Sequence, residues 1–187
     1  MNRRILIITV LVALAVLLNN WLSGQREESK REQEAATEHV PDYFMRDFTA
    51  TTMNQAGEPD QRLQAQLMQH YGDDGSMVLT QPQLTLYAKG QAPWLITAAR
   101  GEVRNDGKEV LLSGGVRMNR SSNNEQMELV TDNMLIRPQQ RYAQTDAPVT
   151  VTAPQGKLTA VGLRAYLADE RLKLLARVRG DYVAPLR

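Results

Sequence analysis

Residues 94–117, WLITAARGEVRNDGKEVLLSGGVR, decide the fold, because they predict two antiparallel β-strands joined by a tight turn. The turn falls at residues 105–107, Asn-Asp-Gly, since these residue types tolerate the positive φ angles that a tight hairpin requires. On the second arm Val110 and Leu112 share one face while Leu111 takes the other, which is the alternation of a half-buried strand. The stretch therefore predicts a β-hairpin with one apolar face.

The same unit recurs along the chain. Laid over the last predicted hairpin without a gap, this one places Val110 on Leu172 and Leu112 on Leu174. Similar hairpins lie one step away in either direction, and the last step is slightly shorter than the others. The period is roughly 30 residues, and self-similarity at such a period is typical of a stacked or rolled array of like units. The alternative is that regular hairpins align with one another by chance, as they do in any β protein.

Segments with strand character fill the chain on both sides of this hairpin. Pro82 interrupts one of them, which predicts a split, bulged or edge strand, because proline has no N–H for the ladder. Gly114 and Gly115 lie inside another and predict a β-bulge. Further strands are expected around residues 44–52, 62–71, 77–87, 127–137, 142–152, 158–167 and 172–182.

Two segments also carry the pattern of an amphipathic helix. Leu63, Leu67 and Tyr71 recur at helical spacing within good helix formers, and residues 163–178 of the last predicted hairpin would also pass for a helix on propensity. The repeat favours strands in both places, so we predict one extended antiparallel sheet of roughly ten to fifteen strands. Because each strand leaves one face apolar, the sheet either curls onto itself or meets something apolar that is not protein.

The N-terminal segment predicts a membrane anchor. Residues 5–22 carry no charge, and as a helix they would span about 27 Å at ~1.5 Å per residue, close to the ~30 Å of a bilayer core. Arg3 and Arg4 precede the segment and favour a cytoplasmic start. A cleaved signal peptide is the alternative, although the small residues Ala13 and Ala15 come too early for its cleavage site.

The segments around the anchor complete the predicted organisation. Residues 1–4 would be a cytoplasmic tail, and the chain beyond the span would lie in the periplasm of a bacterium. Residues 23–41 are mostly charged and polar, so they cannot bury surface and are expected to form a solvated tether. Residues 42–187 are then the periplasmic β domain.

Composition and motifs argue against several function classes. The formal net charge is +1 and no basic run with interleaved aromatics occurs, so nucleic acid is set aside as a partner. Cysteine is absent, which removes disulfides and thiolate chemistry. His39 and His70 have no ligand spacing and are expected on the surface, while the acidic pairs at 73–74 and 169–170 lie at predicted turns. We therefore predict no enzyme activity, no metal and no cofactor.

Five short stretches of strand and turn residues point to a family. They are TQP at 80–82, WLITA at 94–98, LSGGV at 112–116, TDAPV at 145–149 and VRGDY at 178–182. Together with the basic start, the span and the tether, they resemble the LptC family, the bitopic component of the lipopolysaccharide export machinery, over essentially the whole chain. The chain departs from the family pattern at Ala153 and Pro154, where a glycine near the strand end is expected.

The resemblance implies an antiparallel β-jellyroll whose apolar inner face carries lipopolysaccharide from an inner-membrane ABC transporter to a periplasmic bridge protein. A shielded path is needed because exposing acyl chains to water costs ~0.8 kcal/mol for each methylene. On this view the lipid-binding side chains are Leu84, Leu86, Ile96, Val110, Leu112, Val116, Leu129, Leu135, Leu158, Leu163, Leu172 and Leu174.

The resemblance also implies that both edges of the sheet are protein junctions, since natural proteins protect the edges that do not pair. The junction with the transporter is expected at residues 44–52, with Phe44, Phe48 and Ala50 sharing one face. The junction with the bridge protein is expected at residues 172–182, with Leu174, Val178 and Tyr182 in contact.

Two other functions stay open at this point. A membrane-tethered scaffold that joins proteins by strand addition would keep the same edges around a fully packed, dry interior. A glycan- or peptidoglycan-binding module would need aromatic platforms, and Trp94, Tyr166 and Tyr182 are too scattered to favour it. Bound lipid, or an open groove, would separate the transport function from the scaffold.

Overall fold

The computed structural model describes residues 40–122 and 125–182, and the described residues from Pro41 onward belong to one compact unit. The predicted anchor at 5–22 and nearly all of the predicted tether at 23–41 lie outside the described residues. Within the described ranges, no helix has the length and apolarity needed to cross a membrane. The elements are β1 (Tyr43–Met53), β2 (Pro59–Tyr71), β3 (Ser76–Thr80), β4 (Gln83–Ala88), β5 (Gln91–Thr97), β6 (Arg100–Arg104), β7 (Glu109–Ser122), β8 (Glu125–Arg137), a 3-10 helix (Pro138–Gln140), β9 (Tyr142–Ala153), β10 (Gly156–Tyr166) and β11 (Arg171–Tyr182).

These strands form one antiparallel sheet, which confirms the predicted all-β class. Strands β3 and β4 both pair with β2, and β5 and β6 both pair with β7, so each couple acts as one long strand with a break. Pro82 lies at the first break, as predicted. β1 pairs only with β2, and β11 pairs only with β10, so these two strands are the edges of the described sheet.

Both segments with ambiguous periodicity are strands. Residues 62–71 lie in β2, which is paired on both sides. Residues 158–182 form the β10–β11 hairpin, in which Leu163 faces Leu174 and Ala165 faces Leu172. Pairing with neighbouring strands thus overrides the local helix propensity, and the repeat keeps its last member.

The ladder is interrupted at the same level in strand after strand. In β7 the register shifts between Ser113 and Val116, at the predicted glycine bulge, where the φ angles are 80° and 82°. Equivalent shifts or breaks occur between β3 and β4, in β9 and in β11. They fall beside Pro82, Gly115, Pro148 and Arg177, whose spacing along the chain matches the period found in the sequence. We term this row of interruptions the kink line.

A sheet that bends at one level across all its strands folds over on itself. Each long strand then contributes one segment to either side of a shared interior, and side chains from both segments belong to one buried apolar cluster. The first of the two predicted outcomes for the apolar face therefore holds in this structure: the sheet curls onto itself.

Polar contacts fasten the folded sheet at the ends of its strands. Arg120 at the end of β7 donates a hydrogen bond of 2.6 Å to Glu170, in the turn before β11, although β8, β9 and β10 separate the two in the sheet. Arg141, beside the 3-10 helix, makes an ion pair with Asp60 at the start of β2. We term these two ion pairs the clasp.

Candidate functional site

The candidate site is the inner surface of the folded sheet. Eight of the twelve predicted lipid-binding side chains are at most 6% exposed, namely Leu84, Leu86, Ile96, Val110, Leu112, Val116, Leu129 and Leu163. Leu172 and Leu174 of the edge strand β11 are partly buried and pack against the same cluster. The structure thus places ten of the twelve residues together on one continuous apolar surface.

Leu158 also faces inward but is not covered. It pairs with Val151, which is buried and pairs in turn with Leu129, so the three side chains lie on the same face. Leu158 is nevertheless 42% exposed, and its other neighbour across the strand pair is Gly180, which has no side chain to cover it. The inner surface is therefore open to solvent at its C-terminal end.

The inward placement predicted for Leu135 is wrong. It alternates with Met134 and Ile136, which are 1% and 0% exposed, so Leu135 points to the outer face. There it pairs with Leu111, which is itself 40% exposed. Where three consecutive residues are apolar, the sequence does not indicate whether the middle residue or its two neighbours face the core. Only the register of β8 against β7 decides it.

Several inner residues were missed from the sequence. Met118 pairs with Leu129, Met134 with Leu112, and Ile136 with Val110, so each lies directly opposite a residue that was predicted. The signal that would have found them is cross-strand pairing, which needs the register and not the local pattern. The further inner side chains include Leu79, Trp94 and Leu167.

The interior offers apolar contact and almost nothing else. The buried polar residues of the described chain are Ser76, Thr131 and Thr145. Thr131 donates a hydrogen bond of 2.9 Å to the carbonyl of Pro148, and Thr145 pairs with Asn133 at 3.3 Å. No group of three His, Asp or Glu side chains in the described ranges is arranged to hold a metal ion. The arrangement suits acyl or other hydrocarbon chains, because an apolar chain gains contact there without leaving a charge unpaired.

Arg120 marks the margin of this interior. Its side chain is 10% exposed, its guanidinium lies 5.2 Å over the Trp94 ring, and it also donates to the carbonyl of Ala92 at 3.3 Å. The hydrogen bond from Arg120 lowers the pKa of the Glu170 carboxyl, and the same contact raises the pKa of Arg120. The Trp94 Nε1 hydrogen has no acceptor within the described chain. Charge and cation–π attraction therefore hold this margin, whereas the interior beside it is apolar.

The N-terminal edge strand differs from its prediction in one respect, since Phe44 does not share a face with Phe48. Asp47 adopts a left-handed φ of 46° and is skipped in the β1–β2 register. Met45 before this kink and Phe48 after it both pair with core residues of β2, so these two take the inner face. Phe44 lies on the outer face and is 60% exposed. The kink reverses the alternation that the sequence pattern assumed.

A polar contact ties down the beginning of β1. A hydrogen bond of 2.7 Å joins the Asp42 carboxylate to Nδ1 of His70, and the His70 ring stacks on Tyr43 with ring centroids 4.5 Å apart. The bond to His70 lowers the pKa of Asp42. The expected surface position of His70 needs correction, because its side chain is only 19% exposed. His39 lies outside the described residues.

The C-terminal edge strand exposes apolar side chains. Val178 and Tyr182 are 53% and 72% exposed, and they lie two residues before and two residues after Gly180, on the same face of the strand. Gly180 pairs with Leu158. A Cβ atom at Gly180 would lie 2.5 Å from Leu158, so glycine lets that leucine lie flat on the edge strand. Leu158, Val178 and Tyr182 thus form an uncovered apolar patch that continues the inner surface.

Comparison with known proteins gives consistent matches. The family model described as lipopolysaccharide-assembly, LptC-related, matches residues 6–183. The lipopolysaccharide export system protein LptC of Escherichia coli K12 is 25% identical over 177 residues, which cover 94% of this chain and 92% of that protein. The LptC protein of Shigella flexneri gives the same figures.

A solved structure supports the fold. It is LptH of Pseudomonas aeruginosa, described as the LptA-homologous periplasmic component of a lipopolysaccharide transport device. The superposition has a TM-score of 0.53 at 10% identity and covers 67% of this chain and 95% of LptH. At this identity the likeness shows the architecture alone.

Proposed function

Because the chain belongs to the LptC family of lipopolysaccharide-assembly proteins, we propose that it accepts lipopolysaccharide from an inner-membrane ABC transporter and passes it to a periplasmic bridge protein. The observation that carries the proposal is an inner surface that extends from β2 to β10 and contains no buried charged side chain in the described ranges. Each acyl methylene kept out of water there saves ~0.8 kcal/mol, so the protein surface can substitute for the bilayer along the route.

Admission of lipid requires the interior to change, because its side chains now pack against one another. The kink line and the clasp suggest how: the sheet remains folded at its kinks while the strand ends move apart. Acyl chains then replace protein side chains as neighbours, at similar free energy because both are hydrocarbon. The polar clasp is the part that must be broken, and solvent reaches the carboxylate of each of its two ion pairs, which limits how strongly each pair holds.

The two edges would serve as the junctions. β1 would receive the strand of the transporter's periplasmic domain, with Phe48 and Ala50 beside the inner surface and Phe44 outside it. β11 would receive the bridge protein, and lipid would leave across the apolar patch formed by Leu158, Val178 and Tyr182. Both edges carry backbone groups that are unpaired within the described sheet, which is what strand addition requires.

The anchor completes the proposal. Residues 5–22 would cross the inner membrane once, with residues 1–4 in the cytoplasm and residues 42–187 in the periplasm. The tether at 23–41 would set how far the β domain reaches from the bilayer.

The proposal is tested by photo-crosslinking in cells at matched inner and outer positions. Met134 and Leu135 are adjacent in β8 but point to opposite faces, so a crosslinker at each samples the two faces at the same depth. We expect lipopolysaccharide capture from position 134 that depends on ATP hydrolysis by the transporter, and little capture from position 135. Equal capture from both positions would refute transport through the interior.

A scaffold that only joins protein partners is the second candidate, and the tightly packed interior favours it. It predicts that both crosslinkers capture no lipid while the two junctions still form. Lipid analysis of the full chain, purified in mild detergent, provides an independent measurement of the same difference.

A further inference from the structure

The edge strand β11 is basic along its length. Four of its cations are exposed, namely Arg171, Lys173, Arg177 and Arg179, against a single carboxylate on the strand, Asp181. Arg171 lies over the Tyr166 ring, with 4.5 Å between its Cζ atom and the ring centroid. Within the described chain, none of the four makes an ion pair. They therefore form a stripe of unneutralised positive charge.

The neighbouring groups do not compensate this stripe. On β10, Arg164 already holds Asp146 at 2.8 Å, and Lys157 adds a further exposed cation. Glu170, in the turn just before β11, is engaged by Arg120. Asp169 in the same turn and Asp181 near the end of β11 are then the two carboxylates left beside four cations, so the strand keeps an excess of positive charge.

A second copy of this chain is a poor partner for the strand. Two β11 strands side by side would bring cations together, and like charges on adjacent strands are destabilising. β1 of another copy would bring only one carboxylate, Asp47, together with the cation Arg46. The charge on β11 therefore disfavours self-association at either edge.

We propose that β11 selects a protein edge strand that carries carboxylates at alternate positions on its outer face. The inference rests on the proposed role of β11 as the junction for the next carrier protein. Arg171 and Lys173 point outward, while Leu172 and Leu174 point into the core. A partner strand that alternates acidic and apolar residues would place its carboxylates opposite these cations, with Cβ atoms about 4.5–5.5 Å apart across the two strands. Its apolar residues would extend the inner surface. Backbone hydrogen bonds provide affinity, and the charges provide selection and a fast encounter.

The test uses three synthetic peptides of 12 residues, the length of β11. They share alternating valines and differ in carrying glutamate, glutamine or lysine at the other positions. Binding to the full chain in detergent is measured by isothermal titration at about 0.05 M and 0.5 M salt. We expect the glutamate peptide to bind about tenfold more tightly than the glutamine peptide at low salt, and the advantage to vanish at high salt.

Charge-reversal variants locate the effect. The variant Arg171→Glu, Lys173→Glu, Arg179→Glu should lose the preference for glutamate and bind the lysine peptide instead. The control variant Lys89→Glu, Arg100→Glu, Lys108→Glu changes the net charge equally at exposed positions away from β11 and should keep the wild-type preference. Equal binding of the glutamate and glutamine peptides, or unchanged selectivity in the β11 variant, would overturn the proposal.

Two further measurements test whether β11 binds lipid or a second copy of this chain instead of an acidic protein strand. If vesicles of phosphatidylcholine with phosphatidylglycerol bind through the same three residues while the peptides do not discriminate, the stripe recognises lipid phosphate and the proposal fails. If sedimentation shows a dimer that the β11 variant abolishes, the occupant is a second copy and the proposal also fails. Lipid capture at position 134 reports on transport separately, so a failure of charge selection at β11 can be distinguished from a failure of the proposed transport function.

Discussion

Leu112 and Arg120 lie on the same strand and face the same interior, yet they hold it closed by different physical means. Leu112 is 1% exposed and packs beside the kink line, where backbone geometry and dry packing fix the fold. Arg120 lies at the strand end, where one guanidinium reaches an exposed turn. Packing is insensitive to salt and pH, whereas an ion pair at the surface is weakened by both. The comparison predicts that salt and acid weaken the clasp more than they weaken the packing at the kink line.

The largest loss of stability is expected when a buried leucine beside the kink line is shortened. Leu112→Ala should lower the free energy of unfolding by about 2–5 kcal/mol, because it removes buried methyl groups and leaves a cavity. Leu135→Ala is the matched control on the outer face of the adjacent strand and should cost less than about 1 kcal/mol. Urea unfolding of both variants gives the comparison. Similar losses would mean that the two faces are not distinct.

The next largest loss of stability is expected at the glycine bulge of β7. Gly114→Ala should cost about 2–3 kcal/mol, because φ is 80° and the new Cβ would lie 2.9 Å from that of Ala99. Gly115→Ala has a φ of 82° but open space around the new atom, so only the backbone strain of about 1 kcal/mol remains. Thermal unfolding should rank the two in that order. The reverse order would show that close packing at the kink is unimportant.

A smaller loss of stability is expected at the clasp. Arg120→Met should lower the free energy of unfolding by about 1–3 kcal/mol, since it removes the hydrogen bonds to Glu170 and Ala92 and the contact with Trp94. Arg117→Met is the control, because its ion pair with Glu128 is exposed and should contribute less than about 0.5 kcal/mol. If the clasp opens to admit lipid, Arg120→Met should also raise lipid capture at position 134. Unchanged capture would leave the clasp a purely structural contact.

The smallest effect concerns pH. The pKa of Glu170 is lowered by its bond to Arg120, so its contribution is present above the pKa of the unfolded chain, about 4.3. It is lost as the pH falls through the lower pKa of the folded state. Glu170→Gln should therefore show a shallower loss of stability on acidification than the wild type below about pH 4.3. Identical acid profiles would show that this ion pair does not contribute.

Features with local causes could be predicted from the sequence. The turn at 105–107, the break at Pro82 and the bulge at Gly114 follow from what asparagine, proline and glycine permit in the backbone. The strands at 62–71 and 158–182 needed the repeat to overrule helix propensity. The buried positions could be predicted from the alternation of apolar residues wherever no kink or register shift interrupted a strand.

Features that depend on distant partners could not be predicted. Leu135 was assigned to the wrong face because only pairing with β7 fixes the parity of β8. Phe44 was misplaced because Asp47 takes a left-handed φ that is permitted to aspartate but not signalled by its neighbours. The clasp joins Arg120 to Glu170, which is 50 positions away in a turn between two strands that do not pair with β7. Nothing in the local sequence marks that contact.

The regular spacing of the kinks has a consequence for how such a protein can change in length. Because the kinks recur at a nearly constant spacing along the chain, an added or deleted hairpin would leave the remaining kinks in line with one another. A sheet of this design could be lengthened by duplication of one hairpin, without any change in its cross-section. The same spacing in two chains would let their kinks line up if the chains were joined edge to edge.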